Sequence, residues 1–552
     1  MTDSLNIAIA QLNPTVGDVA GNLAKVRAAR AEAAKQGADA VVFSELVLSG
    51  YPPEDLVLKP AFQRRLHEAV DELRADTADG GPALFVTTPW REGDKLHNAV
   101  LLLDRGEIAG KRFKVDLPNY GVFDEKRVFA PGPMPGPLIF RDVRIGVPIC
   151  EDVWTPDVVE CITETGGELI LVPNGSPYEV DKTERRVQLG VARVVESGLP
   201  FCYVNQVGGQ DELIFDGGSF VIGADRALRV ALPSFREAVV TTTWRRGTDG
   251  KWDCVPGLMQ PAPSRLESIY QAMVLGLRDY VNKNRFPGVI IGLSGGIDSA
   301  LTAAVAVDAL GADRVRTVMM PSPYTSRDSL EDAAQCAEAM GIRYDIVSIE
   351  PAMKAFGDML KPVFGNRAAD TTEENIQARA RGLTLMAISN KFGHMVVTTG
   401  NKSEMAVGYS TLYGDMCGGY NALKDVYKTT VFELSHWRNG THPEGAMGPG
   451  GRVIPERIIT KPPSAELKPD QTDQDTLPPY DLLDKILEGL IERDLATEEL
   501  EAEGYDPATV QRVWRMLEMA EYKRRQAPPG VKITGRAVSR DRRYPITNAF
   551  RG

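Results

Sequence analysis

The chain has 552 residues, 43% of them hydrophobic and 25% charged, with a formal net charge of -12. This length predicts two to four domains, and the composition excludes a largely disordered chain. The acidic balance argues against a protein that binds nucleic acid. No apolar run approaches the roughly 20 residues that span a bilayer. The start of the chain lacks a signal-peptide pattern, and the six cysteines form no CxxC pair. We therefore expect a cytoplasmic protein with no membrane partner.

The first half of the chain alternates β-branched runs with alanine-rich helical patterns. Residues 6–12 and 40–43 predict strands, and residues 22–36 between them predict a helix. Further strands are predicted at residues 83–87, 98–103, 145–149, 169–172, 200–205 and 219–222. Because some of these strands are spaced as hairpins and others are separated by helices, the pattern predicts an α/β sandwich and not a purely parallel sheet.

A composition break falls at residues 256–263, which contain three prolines and a glycine. Such a stretch is typical of a linker, so we expect domains at 1–255 and 264–552. The elements predicted after it are, in order, a helix at 264–282, a strand at 288–293, a glycine-rich turn, a helix at 299–310, a strand at 314–320, a helix at 329–340 and a strand at 345–348. This alternation predicts a doubly wound parallel sheet.

Three segments of the first half place a reactive side chain where a strand meets a loop, a common position for catalytic groups. They carry Glu45 at the end of the 40–43 strand, Lys114 in a Lys-Val-Asp-Leu-Pro-Asn-Tyr run, and Cys150 after an apolar strand. Taken singly, each has an ordinary interpretation. A lone cysteine is most often a small core residue, and a lone glutamate or lysine is most often solvated.

Together the three segments resemble the Glu-Lys-Cys triad of the nitrilase (carbon–nitrogen hydrolase) superfamily. They are most similar to the glutaminase domain of glutamine-dependent NAD⁺ synthetases. The wording of residues 117–129, 172–178 and 208–212 is close to that family, and the similarity covers nearly all of residues 5–250. The resemblance implies a nitrilase-like α-β-β-α sandwich in the N-terminal half.

The chemistry of such a triad requires these residue types. A thiolate at Cys150 would attack the amide carbonyl of glutamine and form a thioester. Glu45 would move the protons, and Lys114 would stabilise the oxyanion. Glu125 is expected to be a supporting carboxylate. The resemblance also implies three residues that hold the polar ends of glutamine: Tyr120, Ser176 and Lys182.

The second half contains a glycine-rich turn between the 288–293 strand and a helix. Its sequence is Ser294-Gly295-Gly296-Ile297-Asp298-Ser299. A glycine-rich turn that opens a helix binds anions, because backbone N–H groups and the helix dipole both face the ligand. The turn lacks the lysine of a Walker loop. It resembles the pyrophosphate-binding loop of the adenylating PP-loop (adenine nucleotide alpha hydrolase-like) ATPases, which split ATP into AMP and pyrophosphate.

Segments that flank the loop limit which substrate could accept the ammonia. They resemble NAD⁺ synthetase signatures and lie at residues 374–379, 398–415, 523–530 and 541–546. The resemblance implies that ATP is bound by Gly292, Leu293, Ser294, Gly295, Gly296, Ile297, Asp298, Ser299, Thr399 and Lys428. It implies that deamido-NAD⁺ is bound by Asn375, Glu404 and Lys523. Asp298 and Glu404 are the expected Mg²⁺ ligands, because hard carboxylate oxygens suit a magnesium–phosphate site.

These expectations combine into one reaction. Ammonia released from glutamine would pass through an internal channel to an adenylated deamido-NAD⁺. The family also implies a homo-oligomer, at least a dimer through the synthetase domain. Two features do not fit the pattern: residues 537–539 read Ala-Val-Ser where the family commonly has Ala-Phe-Gly, and the glycine-rich stretch 438–452 has no assigned role.

Three alternatives stay open at the level of sequence. One is a different glutamine-dependent adenylating synthetase with another acceptor. Another is a non-catalytic nucleotide-binding or sensor protein, which would be favoured if triad or loop residues were substituted, and none is. The third is a nucleic-acid modifier, against which the acidic balance counts.

Overall fold

The structure is a computed structural model that describes residues 3–469 and 471–550. The chain forms two compact units that divide between Ser264 and Arg265. No helix in the described residues is both long and apolar enough to cross a membrane.

The first unit contains fifteen strands and four α-helices among its described residues. The strands are β1 Ser4–Gln11, β2 Ala40–Phe43, β3 Ala83–Glu92, β4 Lys95–Asp104, β5 Glu107–Phe113, β6 Leu138–Phe140, β7 Val143–Gly146, β8 Leu169–Asn174, β9 Phe201–Asn205, β10 Val207–Gln210, β11 Leu213–Asp216, β12 Phe220–Ile222, β13 Leu228–Ala231, β14 Ala238–Arg246 and β15 Trp252–Cys254. The helices are α1 Val19–Lys35, α2 Pro60–Asp76, α3 Asp157–Glu164 and α4 Lys182–Ser197, with 3-10 turns at Glu54–Leu58, Thr77–Asp79, Glu125–Arg127 and Cys150–Val153.

Two mixed sheets form the centre of this unit. Their orders are β15-β14-β1-β2-β3-β4-β5 and β13-β12-β9-β8-β7-β6. A core between the sheets joins Ile9 of β1 to Leu171 of β8. A second core packs α1 and α2 on the first sheet, and a third packs α3 and α4 on the other. Strands β2, β8 and β9 are buried along their whole length because each sheet lies between a helix layer and the other sheet. The predicted α-β-β-α sandwich is confirmed.

Some details of this unit differ from the sequence expectation. The strand predicted at 145–149 ends at Gly146, because β8 pairs with β7 only at Ile145 and Gly146. Seven strands were not predicted: β5, β6, β10, β11, β13, β14 and β15. Of these, β5 lacks an apolar run, and β14 pairs with β1 over eight residues. Within residues 256–263, the N–H groups of Gly257 and Gln260 donate to the carbonyls of Arg229 and Ala231 in β13.

The second unit is built on a five-stranded parallel sheet with the order β18-β17-β16-β19-β20. Its strands are β16 Val289–Gly292, β17 Val315–Met319, β18 Arg343–Ile346, β19 Met395–Thr398 and β20 Tyr420–Asn421. Its helices are α5 Arg265–Lys283, α6 Ile297–Leu310, α7 Arg327–Met340, α8 Glu350–Phe364, α9 Thr371–Phe392, α10 Lys402–Val407, α11 Lys428–Gly440, α12 Glu456–Thr460, α13 Tyr480–Ile491, α14 Thr497–Ala502, α15 Pro507–Met519 and α16 Glu521–Arg524, with 3-10 turns at Ala312–Arg314 and Asp473–Asp475.

Helix α6 runs through the centre of the second unit and is buried along its length. Helices cover the sheet, and sequence-distant strands pair in parallel, so the predicted doubly wound sheet is confirmed. The sheet places the carboxyl ends of β16 and β19 side by side, where open parallel sheets bind their ligands.

The two sequence features without an explanation have structural positions. Arg438, at the start of the glycine-rich stretch, is buried and donates to both carboxylate oxygens of Asp308 on α6, at 2.6 and 3.0 Å. A Cβ on Gly448 would lie 2.3 Å from an Asp308 oxygen, so glycine permits this close approach. Val538 is buried in a core formed with α13 and α15. Both features therefore contribute to packing.

Candidate active sites

The three predicted triad residues lie on different elements of the first unit, and all three are buried. Glu45 follows β2, Lys114 follows β5, and Cys150 begins the 3-10 turn after β7. The Lys114 Nζ donates to Glu45 Oε1 at 2.7 Å and to Glu125 Oε1 at 2.8 Å. We call these three side chains, Lys114, Glu45 and Glu125, the Lys114 cluster. Chain segments more than 60 residues apart in sequence thus meet at one ammonium group.

Glu45 has a defined orientation because other groups bind both of its oxygens. Asn98 Nδ2 donates to Oε1 at 2.7 Å, and the Gly175 N–H donates to Oε2 at 2.9 Å. A Cβ on Gly175 would lie 3.1 Å from Glu45 Oε2 and 2.9 Å from the ring of Tyr51. Glycine at this position therefore allows the backbone to approach the carboxylate. Tyr51 in turn donates its hydroxyl to Glu125 at 2.8 Å.

One positive charge in the Lys114 cluster serves two buried carboxylates. Burial disfavours the charged amine, but Glu125 and Glu45 outweigh that effect and hold the pKa of Lys114 well above its usual value. Burial raises the pKa of Glu125 to about 7, with Lys114 opposing the rise and Glu45 adding to it. Since neither carboxylate can be fully neutralised by a shared cation, the cluster can take up or release a proton near neutral pH.

Cys150 is held in a left-handed backbone conformation, with φ of +47°. Non-glycine residues rarely adopt this region, and it occurs often at functional sites. Burial raises the pKa of the Cys150 thiol above its ordinary value of 9.0, Glu45 adds to the rise, and Lys114 opposes it. The resting thiol is therefore protonated and needs a base to become a nucleophile. Glu45 is the carboxylate whose charge acts on it most strongly.

The three predicted glutamine-binding residues lie on different segments of the first unit. The exposed Tyr120 donates its hydroxyl to both oxygens of Glu151, which follows the nucleophile. Ser176 is buried directly after Gly175, and its N–H donates to Asn205 at 3.0 Å. Lys182 begins α4 and is also buried.

Sequence reasoning missed two groups in this site, Tyr51 and Asn98. Both are fully buried or nearly so and bind the carboxylates of the Lys114 cluster. Asn98 lies within β4, in a run that is otherwise apolar. A polar residue in a buried apolar strand is the signal that could have identified it, because buried amides need partners.

The second unit places the glycine-rich loop between β16 and α6, as predicted. Gly295 has φ of +81°, and a Cβ there would lie 2.4 Å from the Ser329 carbonyl oxygen. Ser299 Oγ accepts from the Ser294 N–H and donates to the Gly296 carbonyl, which fixes the loop. No side chain caps the start of α6. Its first N–H groups can therefore receive a phosphate.

A cavity of about 320 Å³ opens beside this loop. Every predicted ATP-binding residue except Gly295 lines it, including Thr399 and Lys428. Its walls also contain Glu404 and a segment at residues 461–467. Its size and mixed lining fit a nucleotide-sized ligand.

Lys428, Asp298 and Glu404 form a second three-residue group, the Lys428 cluster. Lys428 Nζ lies 2.5 Å from Asp298 Oδ2 and 3.1 Å from Glu404 Oε1. Burial disfavours charge on the amine, but Asp298 and Glu404 reverse that effect and raise the pKa of Lys428. Burial raises the pKa of Glu404 to about 7, with Lys428 opposing. Asn401 Nδ2 holds the other Asp298 oxygen at 3.0 Å.

The donor set of this cluster limits the metal it could hold. Among the described residues, no three or more His, Cys, Asp or Glu side chains are grouped so as to bind a metal ion. Two carboxylates fit a cation that takes its remaining ligands from phosphate oxygens and water. Mg²⁺ binds in this way.

The other two predicted dinucleotide contacts, Asn375 and Lys523, do not line the cavity. Asn375 Oδ1 accepts from the Thr411 hydroxyl at 2.9 Å. Lys523 Nζ donates to the carbonyls of Gly408 and Ser410, both at 2.7 Å. Since Thr411 itself lines the cavity, both residues support the segment that forms one of its walls.

Fold and geometry together define the class: an ATP-dependent ligase fused to a nitrilase-type amide hydrolase. Residues 6–253 match the carbon–nitrogen hydrolase family, and residues 269–527 match the NAD synthase family. The chain is 51% identical to the glutamine-dependent NAD(+) synthetase of Rhodobacter capsulatus, over 100% of both chains. It is 47% identical to that of Acinetobacter baylyi, over 99% of both.

A solved structure agrees with these relatives. The glutamine-dependent NAD⁺ synthetase of Acinetobacter baumannii, solved with adenosine diphosphate, is 44% identical and superposes with a TM-score of 0.79 over 99% of both chains. The chain belongs to the glutamine-dependent NAD⁺ synthetase family.

Proposed function

We propose that the chain catalyses glutamine-dependent synthesis of NAD⁺. ATP, deamido-NAD⁺, glutamine and water would give NAD⁺, AMP, pyrophosphate and glutamate. One observation carries the proposal beyond family membership. A single chain holds a buried cysteine beside the Lys114 cluster, and also an uncapped helix start beside the Lys428 cluster in a nucleotide-sized cavity. The first arrangement suits amide hydrolysis, and the second suits ATP chemistry.

In the first half-reaction, Glu45 takes the Cys150 thiol proton and the sulfur attacks the carboxamide carbon of glutamine. A C–S bond forms, the C–N bond breaks, and Glu45 returns the proton to the departing ammonia. Water activated by the same carboxylate then hydrolyses the thioester to glutamate. Lys114 stabilises the oxyanion in both steps. Glutamine is oriented by Tyr120, Ser176 and Lys182.

In the second half-reaction, the nicotinate carboxylate of deamido-NAD⁺ attacks the α-phosphorus of ATP and pyrophosphate leaves. Ammonia then attacks the activated carbonyl and AMP leaves. The loop from Gly292 to Ser299 binds the phosphates, with Thr399 and Lys428 completing the ATP site. Asn375, Glu404 and Lys523 bind or shape the site for the dinucleotide. Mg²⁺ held by Asp298 and Glu404 would offset charge on the phosphate oxygens.

Transfer of ammonia inside the protein is part of this proposal. At neutral pH free ammonia is mostly protonated and is no longer a nucleophile. Passage from the Cys150 site to the Asp298 loop without release would avoid that loss. Measuring glutamate released per NAD⁺ formed tests the point: a ratio near one supports direct transfer, and a large excess of glutamate contradicts it.

We also propose that two or more copies associate through the second unit, in the cytoplasm. Helix α8 has no buried side chain, and its Phe356, Met359 and Val363 are exposed. Exposed apolar clusters mark interaction sites, and a second copy is the partner the family favours. All six cysteines are free thiols, which fits a reducing compartment. Sedimentation of the wild type and a Met359→Glu variant tests the association: an unchanged oligomer contradicts this interface.

The function itself is tested with Cys150→Ala and two nitrogen sources. Glutamine-supported NAD⁺ synthesis should vanish, and ammonium-supported synthesis should persist at the wild-type rate. The same assay with deamido-NAD⁺ and with other carboxylate acceptors separates this enzyme from other adenylating synthetases. Failure of the wild type to form NAD⁺ from deamido-NAD⁺ and ammonium would refute the proposal.

A further inference from the structure

Asp152 is a buried carboxylate that the proposed amide hydrolysis does not use. Its side chain is 1% exposed, and it lies two residues after the nucleophile. It lacks a lysine or arginine among its hydrogen-bond donors in the described residues. A buried carboxylate is stable only where hydrogen-bond donors surround it. The positions of those donors therefore indicate which parts of the chain Asp152 holds together.

Those partners are three backbone N–H groups from two separate chain segments. Oδ1 accepts from Val115 at 2.9 Å and from Asp116 at 2.8 Å. Oδ2 accepts from Ile149 at 2.9 Å. The first two donors follow Lys114 directly, and the third precedes Cys150 directly. One carboxylate therefore joins the backbone on which the lysine stands to the backbone on which the cysteine stands.

This connection has a particular value at Cys150. The cysteine occupies a left-handed conformation with φ of +47°, which costs free energy unless the surroundings impose it. The Oδ2 bond to Ile149 closes the turn that contains the cysteine. The Oδ1 bonds fix the same turn to the segment after β5. A displacement of about 1 Å between reacting groups can slow a reaction about 10²-fold.

We propose that Asp152 is a positioning residue that sets the distance between the Cys150 sulfur and the Lys114 ammonium. It touches neither the substrate nor the reacting atoms, and it acts through three backbone N–H groups. This inference rests on the amide hydrolysis proposed above. Loss of Asp152 should slow the chemical step more than it weakens glutamine binding, because its three bonds hold the backbone beside Lys114 and Cys150, whereas the Ser176 N–H binds Asn205.

The test compares Asp152→Asn with the wild-type full-length enzyme. The asparagine side chain has one oxygen that accepts and one NH₂ group that only donates. It therefore cannot accept hydrogen bonds from the N–H groups of both segments. We expect kcat for glutamate release to fall about 10²-fold, with KM for glutamine within about threefold. Alkylation of Cys150 by iodoacetamide should slow in parallel, and ammonium-supported NAD⁺ synthesis should be unchanged. A general packing defect would instead raise KM and lower thermal stability without selectivity for kcat.

The matched control is Asp253→Asn. Asp253 also accepts from two backbone N–H groups, those of Ala224 and Cys254, and from Arg229, on β15 at the edge of the sheet. It should keep wild-type kcat. An equal loss of kcat in this control would overturn the positioning role, as would a wild-type kcat in Asp152→Asn or a loss confined to KM.

Asp152→Glu keeps the proposal testable if Asp152→Asn fails to fold. The longer side chain retains the charge and its acceptors but displaces them by about one methylene, so kcat should still fall while the chain folds. Full activity in Asp152→Glu would contradict the inference. Two different results would refute the two proposals. If the wild-type enzyme released no glutamate, the proposed function would be wrong. If the wild type were active and the Asp152 variants matched it, only the positioning role of Asp152 would be wrong.

Discussion

Replacing Lys114 with methionine would remove the one cation that the two carboxylates of the Lys114 cluster share. The ammonium is fully buried between Glu45 at 2.7 Å and Glu125 at 2.8 Å, so its loss leaves two buried carboxylates without a cation. Breaking a buried ion pair costs about 3–5 kcal/mol. For a unit of this size that corresponds to a fall of roughly 6–20 °C in melting temperature. Loss of the oxyanion charge should lower kcat for glutamate release by about 10²–10³.

The destabilisation should depend on pH in a defined direction. Burial raises the folded-state pKa of Glu125 to about 7 even with Lys114 opposing the rise, so loss of Lys114 moves that pKa further above its value in the unfolded chain. A group whose pKa is raised on folding stabilises the fold at low pH and loses that effect as pH rises through the raised value. The deficit of Lys114→Met should therefore be small near pH 5 and large above about pH 7.

Calorimetry of the full chain gives the measurement, since added ATP shifts the transition of the second unit and identifies that of the first. Lys111→Met is the control, because Lys111 forms an exposed pair with Glu92 at 2.7 Å and should lose less than about 1 kcal/mol. Adding Glu125→Gln to Lys114→Met should restore part of the stability. If Lys114→Met melted like Lys111→Met at every pH, the account of the cluster would be wrong.

Two further predictions concern the ATP loop and the glutamine site. Asp298→Ala should lower NAD⁺ synthesis from glutamine and from ammonium at least about 10²-fold, while glutamate release continues. The control is Asp313→Ala, because Asp313 is exposed. Full synthesis by Asp298→Ala would show that Asp298 does not have the role assigned to it. Arg186 donates to Asp216, to the Ser176 hydroxyl and to the Ser176 carbonyl, and lysine cannot reproduce that fork. Arg186→Lys should therefore raise KM for glutamine about tenfold with kcat retained. The control is Arg185→Lys, an exposed position where KM should not change. An unchanged KM in Arg186→Lys would show that Arg186 does not hold Ser176.

The fold could be predicted from sequence where the pattern was strong and local. β16, the glycine-rich loop and α6 were predicted together, because an apolar strand, glycines and an alanine-rich helix follow one another without interruption. β14 was missed although its Val-Val-Thr-Thr-Thr run favours a strand, and its partner β1 lies more than 220 residues away. The early end of β7 also depends on a partner strand. Local patterns do not contain such long-range pairings.

The site shows the same limit in a different form. Glu45, Lys114 and Cys150 were predicted as a triad because their three segments together resemble a known family, whereas each taken singly has an ordinary interpretation. Asp152 was missed because its role is a set of hydrogen bonds to backbone groups of distant segments, and Asn98 gave only the signal of one polar residue in an apolar strand. A residue that positions others gives a weaker signal in one sequence than a residue that reacts. Structure is needed to identify the second kind.

The two sites use one arrangement, a lysine between two carboxylates, for different chemistry, and solvent access is what separates them. In the Lys114 cluster, the side chains of Lys114 and Glu45 are fully buried and out of contact with bulk water. That suits a site whose partner is a thiol that must lose a proton. In the Lys428 cluster, Asp298 and Glu404 remain 18% and 17% exposed toward the cavity. Phosphate could therefore compete for the lysine, and both carboxylates would then be free for the Mg²⁺ ion proposed above.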